Sequence, residues 1–199
     1  AQIICCKPEE ISCEVCFKKS VGHICKGYSQ CRILEKTEEQ LEYVLSSIEK
    51  NTFLKACAGS GKTEVFLHLA KAMRERDKQV LILVPEISLT PQMIARVKQR
   101  FGAQVAIYHS ALNEQEKYEQ YQLVKKHQVD IVVGTRSAVF MPFDHLGLIV
   151  MDEEHDTSYK QDRGVRYHCR DIALQRAKIH QAKLVLASAT PSLESYARA

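Results

Sequence analysis

The chain has 199 residues, enough for one well-packed domain with a small appendage, and its formal net charge of +4 comes from interspersed Lys, Arg, Asp and Glu. That balance is compatible with a polyanionic partner but is far from the clustered basicity of a histone-like protein. Because no run of about 20 apolar residues and no basic segment followed by an apolar stretch is present, the sequence predicts a soluble, cytoplasmic protein with no membrane partner.

Residues 1–36 are predicted to be a cysteine-rich appendage, because six of the eight cysteines lie among the first 31 residues. Such crowding in a non-secreted chain favours metal binding over disulfides. Cys13 and Cys16 have zinc-knuckle spacing, and Cys25 and Cys31 complete four thiolates, with His23, Cys5 or Cys6 as substitutes. The second pair is spaced irregularly, so a structural Zn²⁺ site, reduced cysteines and a disulfide framework all stay open.

Residues 37–199 alternate strand-like and helix-like segments, which predicts an α/β domain with a mostly parallel sheet flanked by helices. Short β-branched runs indicate buried strands, and apolar residues at helical spacing indicate amphipathic helices. The predicted strands are 52–55, 80–84, 105–109, 130–133, 147–152 and 183–187. The predicted helices are 38–50, 63–76, 92–101, 114–127 and 170–182.

Residues 56–63 have the pattern of a phosphate-binding loop between a strand and a helix, with Ala56 at the position where the motif commonly has its first glycine. Unpaired N–H groups at the helix start face an anion there, and Lys62 can reach the β and γ phosphates of ATP. We expect the hydroxyl of Thr63 to be a ligand for Mg²⁺. The predicted nucleotide-binding residues of this loop are Ala58, Gly59, Ser60, Gly61, Lys62 and Thr63.

A second acidic motif follows the apolar strand at 147–152. Ligands bind at the carboxyl ends of strands in open α/β sheets, so Asp152 is placed to complete the Mg²⁺ shell. Glu153 is the candidate base that orients and deprotonates the attacking water. We interpret His155 as a link between the nucleotide site and a DNA site. The alternative interpretation is that these acids only cap the strand.

Further segments resemble the primosomal replication-restart helicases, of the second helicase superfamily. They are L-V-P-E-I-S-L-T-P-Q at 83–92, G-T-R-S-A-V-F at 134–140, D-E-E-H-D-T-S-Y-K-Q at 152–161, R-Y-H-C-R-D at 166–171 and S-A-T-P-S-L-E-S at 188–195. The resemblance covers residues 37–199 and implies the RecA-like first lobe, a P-loop NTPase fold, of an ATP-dependent DNA helicase.

The resemblance also implies roles for individual residues. Gln40 corresponds to an adenine-reading glutamine, although residues 37–40 also fit a helix capping box. The resemblance also implies a set of residues that contact single-stranded or forked DNA, or that couple DNA binding to ATP hydrolysis. They are Thr135, Arg136, Ser137, Tyr159, Lys160, Arg166, Tyr167, Ser188 and Thr190. For each tyrosine, base stacking and a half-buried core contact are equal alternatives. Cys57 and Cys169 receive no catalytic role.

The implied partners are DNA, a second helicase lobe that supplies an arginine finger, and replication-restart proteins of a bacterial cytoplasm. Without that lobe we expect slow ATP hydrolysis and no unwinding. The family's zinc-binding cysteines follow the first lobe, whereas the cysteines here precede it. Two alternatives stay open: a competence or repair translocase of the same superfamily, and a truncated module in which nucleotide switches affinity for DNA or protein.

Overall fold

The computed structural model describes residues 2–6, 52–56, 62–190 and 192. The strands are β1 (Gln2–Cys6), β2 (Thr52–Ala56), β3 (Gln79–Leu83), β4 (Val105–Tyr108), β5 (Ile131–Gly134), β6 (Leu146–Met151), β7 (Lys160–Gln161), β8 (Tyr167–His168) and β9 (Lys183–Ser188). The helices are α1 (Lys62–Arg74), α2 (Pro91–Phe101), α3 (Glu114–Lys125) and α4 (Cys169–His180), and short 3-10 helices lie at Glu86–Ser88, Gly102–Gln104, Arg136–Phe140 and Thr157–Tyr159.

Within the described residues, seven strands form one sheet in the order β1-β2-β9-β6-β3-β5-β4, and every neighbouring pair is parallel. Strands β7 and β8 form a separate antiparallel pair. A parallel sheet places all strand carboxyl ends at one edge, where α/β proteins bind their ligands. The strands β2, β6 and β9 are neighbours, so the segments that follow them meet there.

Helices cover both faces of the sheet, because each central strand alternates its side chains between two apolar cores. One core joins Val80 and Ile82 of β3 to α1 and α2, through side chains such as Phe66 and Val97. The other core joins the alternate residues of β3 to Val124 of α3 and to one face of α4 that includes Ala173 and Ala177. The chain therefore has the three-layer architecture that the sequence predicts.

The predicted elements that fall on described residues match the structure to within two residues at either end. Regular hydrophobic periodicity explains this agreement, since buried parallel strands and amphipathic helices carry the strongest sequence signals. The strands β1, β7 and β8 were not predicted. The rest of the cysteine-rich segment and the predicted helix 38–50 lie outside the described residues, and no described helix is long and apolar enough to cross a bilayer.

Local sequence fixes the helix starts near the carboxyl edge. Thr90 caps α2 by accepting a hydrogen bond from Met93 N at 3.2 Å, and Pro91 occupies the first turn, where a missing N–H costs nothing. After β5, a Cβ on Gly134 would come within 2.3 Å of the Tyr108 carbonyl oxygen. Glycine thus allows the 3-10 helix after β5 to pack against β4.

Candidate nucleotide site and its connections

The candidate phosphate site lies where β2 gives way to α1, beside the end of β6. Lys62 is the first residue of α1, and Asp152 and Glu153 follow the last residue of β6. Thr63 follows Lys62 in α1 and is half-buried, and the other predicted nucleotide-binding residues lie outside the described residues: Gln40, Ala58, Gly59, Ser60 and Gly61. The described half of the site therefore consists of a lysine at a helix start facing two strand-end acids.

Lys62 forms ion pairs with both acids. Its Nζ donates a hydrogen bond to Glu153 Oε1 and lies 3.6 Å from Asp152 Oδ1. The side chain of Lys62 is only 8% exposed, so its charge is held between the acids and away from bulk water. A buried cation of this kind needs an anionic partner, and either a carboxylate or a phosphate meets that need.

Asp152 is fixed by the backbone around it. Its N–H donates to Leu83 O at 2.9 Å, and its Oδ1 accepts from Glu153 N at 3.0 Å. Burial raises the pKa of the Asp152 carboxyl above its ordinary value, while the nearby Lys62 ammonium opposes that rise. An anion made costly by burial is stabilised by any added cation, which favours metal binding.

Glu153 has a backbone conformation that side chains rarely adopt, with a φ of 43°. The left-handed region costs a residue with a Cβ about 1–2 kcal/mol. Such strain persists where the surrounding structure over-determines the backbone, and it is common at functional sites. Here the turn directs the Glu153 carboxylate towards Lys62.

We expect Glu153→Gly to be more stable to unfolding than Glu153→Ala by about 1 kcal/mol, because both lose the carboxylate and only alanine retains the strain. Chemical denaturation of the two variants measures the difference. The same pair at Glu119, an exposed position within α3, is the control, and there alanine should be the more stable by about 1 kcal/mol. An alanine advantage at both positions would contradict the assigned strain.

His155 connects the acids to the end of β9. Its Nδ1 lies 2.7 Å from Ser188 Oγ and 3.7 Å from Glu153 Oε2, and its Nε2 lies 3.4 Å from Thr190 Oγ1. Thr190 N also donates to Ser188 Oγ at 3.0 Å. These contacts place His155 between the candidate base and the S-A-T segment, as its predicted linking role requires.

The segment after β5 differs from the predicted DNA-contacting loop. Thr135 is 3% exposed, so in this conformation it offers almost no surface to a sugar-phosphate backbone, and its DNA contact stays a prediction. The guanidinium of Arg136 donates from Nη1 to Ser158 O at 2.8 Å and to Lys160 O at 2.7 Å. Arg136 therefore holds the segment before β7, while Ser137 remains half-buried.

Tyr159 is a core residue, so of its two predicted alternatives, base stacking and a core contact, this structure has the core contact. Its side chain is fully buried in the core beneath α4, and its hydroxyl donates to Asp152 O at 2.7 Å. Burial raises the pKa of this phenol well above its usual range, so the hydroxyl stays a donor. Tyr159 thus supports the turn that carries the acids.

Around this buried tyrosine, the other predicted residues of the segment are exposed or half-buried. Tyr167 is half-buried and packs edge-to-face on Phe140, with ring centroids 5.1 Å apart. Lys160 is exposed and lies 3.1 Å from Asp162, and Arg166 is exposed. A partly exposed aromatic pair beside cations suits contact with single-stranded nucleic acid.

Cys169 begins α4 in a buried position, with its thiol 3.6 Å from Arg136 O. Burial raises the pKa of this thiol to about 12, so it is unreactive at neutral pH. Cys57 and the candidate zinc ligands Cys13, Cys16, Cys25 and Cys31 lie outside the described residues. Among residues that are described, no group of three or more His, Cys, Asp or Glu is arranged to hold a metal.

Three residues of the site were missed by sequence reasoning: Glu154, Arg170 and Ser192. They form a hydrogen-bonded network beside the acids, with contacts of 2.6–3.1 Å. Glu154 lies within the recognised motif at 152–161, but nothing in its spacing distinguishes a buried acid from a solvated one. Only the return of the chain after β9 brings these three together.

Comparison with known proteins defines the class of this lobe. The chain belongs to the DEAD/DEAH box helicase family, whose model matches residues 36–199. The solved structure of RecG bound to a three-way DNA junction has the same fold, with a TM-score of 0.60 and 23% identity over 92% of this chain and 23% of that chain. The RecA-like fold predicted for the lobe is thereby confirmed.

Within that class, the chain is similar to the replication restart protein PriA. The Bacillus subtilis protein is 44% identical over 196 residues, which are 92% of this chain and 24% of that protein. The Synechocystis protein is 49% identical over 144 residues, which are 72% of this chain and 17% of that protein. The predicted resemblance to a replication-restart helicase lobe is confirmed, and the chain spans about a quarter or less of these relatives.

Proposed function

We propose that this chain is the ATP-binding lobe of a PriA-type DNA helicase, which couples ATP hydrolysis to movement along single-stranded or forked DNA in replication restart. The observation that carries the proposal is the convergence of Lys62, Asp152 and Glu153 at the carboxyl edge of the sheet. The similarity to PriA gives this phosphate site its biological setting.

Each residue of the site has a proposed role. Lys62 exchanges its carboxylate partners for the β and γ phosphates when a nucleotide binds, which releases Glu153 to act as the base. The carboxylate of Asp152 and the hydroxyl of Thr63 are oxygen ligands of the kind that Mg²⁺ takes, so the residues fit this ion. Magnesium held there would neutralise phosphate charge, and the role of Glu153 is to accept the proton of the attacking water.

The DNA-facing part of the proposal rests on the segment between Arg136 and α4. Exposed Lys160 and Arg166 provide cations for phosphates, and Tyr167 provides an aromatic surface. Arg136 holds this segment in place through the two carbonyls that it contacts. Ser188 and Thr190 transmit the nucleotide state through His155, and Ser137 is a further candidate DNA contact.

Nucleotide binding and hydrolysis by the wild-type chain and by Glu153→Gln test this function. We expect both proteins to bind Mg²⁺–ATP, while the variant hydrolyses it about 100-fold more slowly because the base is lost. Phosphate release is measured with and without single-stranded DNA. Equal hydrolysis by both proteins would remove Glu153 from the mechanism, and nucleotide binding without any hydrolysis would favour a nucleotide-switched binding module.

We further propose that these 199 residues hydrolyse ATP slowly until a second RecA-like lobe supplies an arginine finger. An arginine finger contributes about 10³–10⁵ in rate in related phosphoryl-transfer enzymes. In this proposal Lys62 and the acids contact the phosphates from one side, and the second lobe would close over them from the other side. Replication-restart proteins are the further partners that the similarity to PriA supports.

A structural zinc site in residues 1–36 is a separate proposal, based on the spacing of Cys13, Cys16, Cys25 and Cys31. Metal analysis of protein purified without chelator should find about one zinc per chain. Serine at Cys13 and Cys16 together should remove it, whereas serine at the buried Cys169 should not. Protein without stoichiometric zinc would contradict the site.

A further inference from the structure

Glu154 is a buried acid next to the candidate base. Its side chain is 1% exposed, although it follows Glu153 directly in a turn at the sheet edge. Its backbone N–H donates to Ala187 O at 3.1 Å, which fixes the turn against the end of β9. Burying a carboxylate is costly unless hydrogen bonds and a positive charge compensate it.

Two other segments supply that compensation. Ser192 donates to the Glu154 carboxylate twice, from its N–H to Oε1 at 2.6 Å and from its hydroxyl to Oε2 at 3.1 Å. Arg170 Nη1 lies 3.6 Å from Oε2 and donates to Ser192 Oγ at 3.1 Å. One carboxylate thus joins the acid-bearing turn to the segment after β9 and to the first turn of α4.

The partners of Glu154 lie beside the two segments that are proposed to respond to DNA. Ser192 lies just beyond Ser188 and Thr190, which contact His155. Arg170 lies in the first turn of α4, two residues beyond β8, so it borders the segment 156–168, which carries the exposed cations and Tyr167. The network therefore reaches from the turn of the candidate base to both segments proposed to respond to DNA.

A role in stability alone does not account for the arrangement. Replacing a buried ion pair by apolar side chains is often neutral or stabilising, so a fold gains little from placing one here. The adjacent Glu153 is strained, with a φ of 43°. Its neighbours hold that conformation, because Asp152 N donates to Leu83 O and Glu154 is anchored at both its backbone and its side chain. A shift of the Glu154 carboxylate would move Glu153.

We propose that Glu154 is a positioning residue, whose carboxylate network with Ser192 and Arg170 transmits the nucleotide state of the site to the segment 156–168. The inference rests on the proposed function, since it requires that Mg²⁺–ATP binds beside Lys62. Binding shifts the turn that carries Glu153, and the network carries that shift to the start of α4.

Hydrogen exchange of residues 157–169, with and without saturating Mg²⁺–ATP, tests the proposal in the 199-residue chain. In the wild type, nucleotide should change the exchange of this segment. Glu154→Gln keeps the size of the side chain but removes the charge that faces Arg170. We expect its affinity for Mg²⁺–ATP to stay within about threefold of the wild-type affinity. The nucleotide-dependent change in hydrogen exchange should fall to less than about half of the wild-type change.

Two further variants define the outcome. Ser192→Ala removes one hydroxyl and leaves the ion pair between Glu154 and Arg170, so it should partially reduce the nucleotide-dependent change in hydrogen exchange. This variant tests the inference if Glu154→Gln does not fold. Glu119→Gln makes the same chemical change on exposed α3 and should transmit the full change. The inference alone is overturned if Glu154→Gln shows the full nucleotide-dependent change in hydrogen exchange. It is also overturned if the wild type binds nucleotide but shows no exchange change at 157–169. Failure of the wild type to bind Mg²⁺–ATP overturns the proposed function as well.

Discussion

Lys62→Met should lower the affinity of the chain for Mg²⁺–ATP by about 10²–10⁴. A charged hydrogen bond contributes about 1.5–3 kcal/mol, and Lys62 is placed to make two of them to the β and γ phosphates. The substitution has a second effect, because Lys62 is the cation that lies between Asp152 and Glu153. Without it, two neighbouring carboxylates repel the incoming phosphates. Titration with a fluorescent ATP analogue measures the loss.

Lys71→Met is the matched control for this experiment. Lys71 belongs to the same helix, but it is 62% exposed and pairs only at the surface with Glu75, 3.8 Å away. Surface pairs contribute little, so its nucleotide affinity should stay within about threefold of the wild type. If Lys62→Met and Lys71→Met bound Mg²⁺–ATP equally well, the phosphate-binding role of Lys62 would be wrong.

Tyr159→Ala should lower the free energy of unfolding by about 3–5 kcal/mol, since removing a buried aromatic ring leaves a cavity in the core. Tyr159→Phe keeps the ring and loses only the hydrogen bond to Asp152 O, so it should cost about 1 kcal/mol. Urea denaturation of both variants measures these changes. A tyrosine that served as a base-stacking platform would instead leave stability unchanged and weaken DNA binding.

Tyr118→Ala is the control for an exposed tyrosine, because this side chain on α3 is 59% exposed. Its stability should lie within about 0.5 kcal/mol of the wild type. A fall of less than about 1 kcal/mol for Tyr159→Ala would show that Tyr159 leaves the core in solution, and the base-stacking interpretation would then return.

The strands and helices of the lobe could be predicted because each carries a local signal. Thr90 and Asn113 begin their helices with capping side chains, and buried strands such as β3 are continuous apolar runs. The strands β7 and β8 carry no such signal, since each has two residues and depends on pairing with the other. Pairing over a turn of this kind is decided by contacts, and a local pattern does not reveal it.

Some residues of the candidate site could likewise be predicted from the sequence, and others could not. Lys62, Asp152 and Glu153 could be predicted because a phosphate site needs a lysine at a helix start and acids at a strand end, and both positions are visible in the sequence. The burial of Tyr159 and Glu154 could not, because an isolated Tyr or Glu after a strand is equally at home in solvent. The chain after β9 returns to Glu154, whereas Tyr159 is enclosed by the core that includes α4.

The sequence by itself determined the fold class and the chemistry of the phosphate site, because periodicity and short motifs act over a few neighbouring residues. Tertiary structure decided which polar groups of the segment 152–171 are buried and which remain for DNA. Burial depends on packing between segments that are distant in the chain, such as Glu154 with Ser192 and Arg136 with Ser158. Arg136 and Tyr159 thus support this segment from within, while Lys160 and Arg166 face solvent.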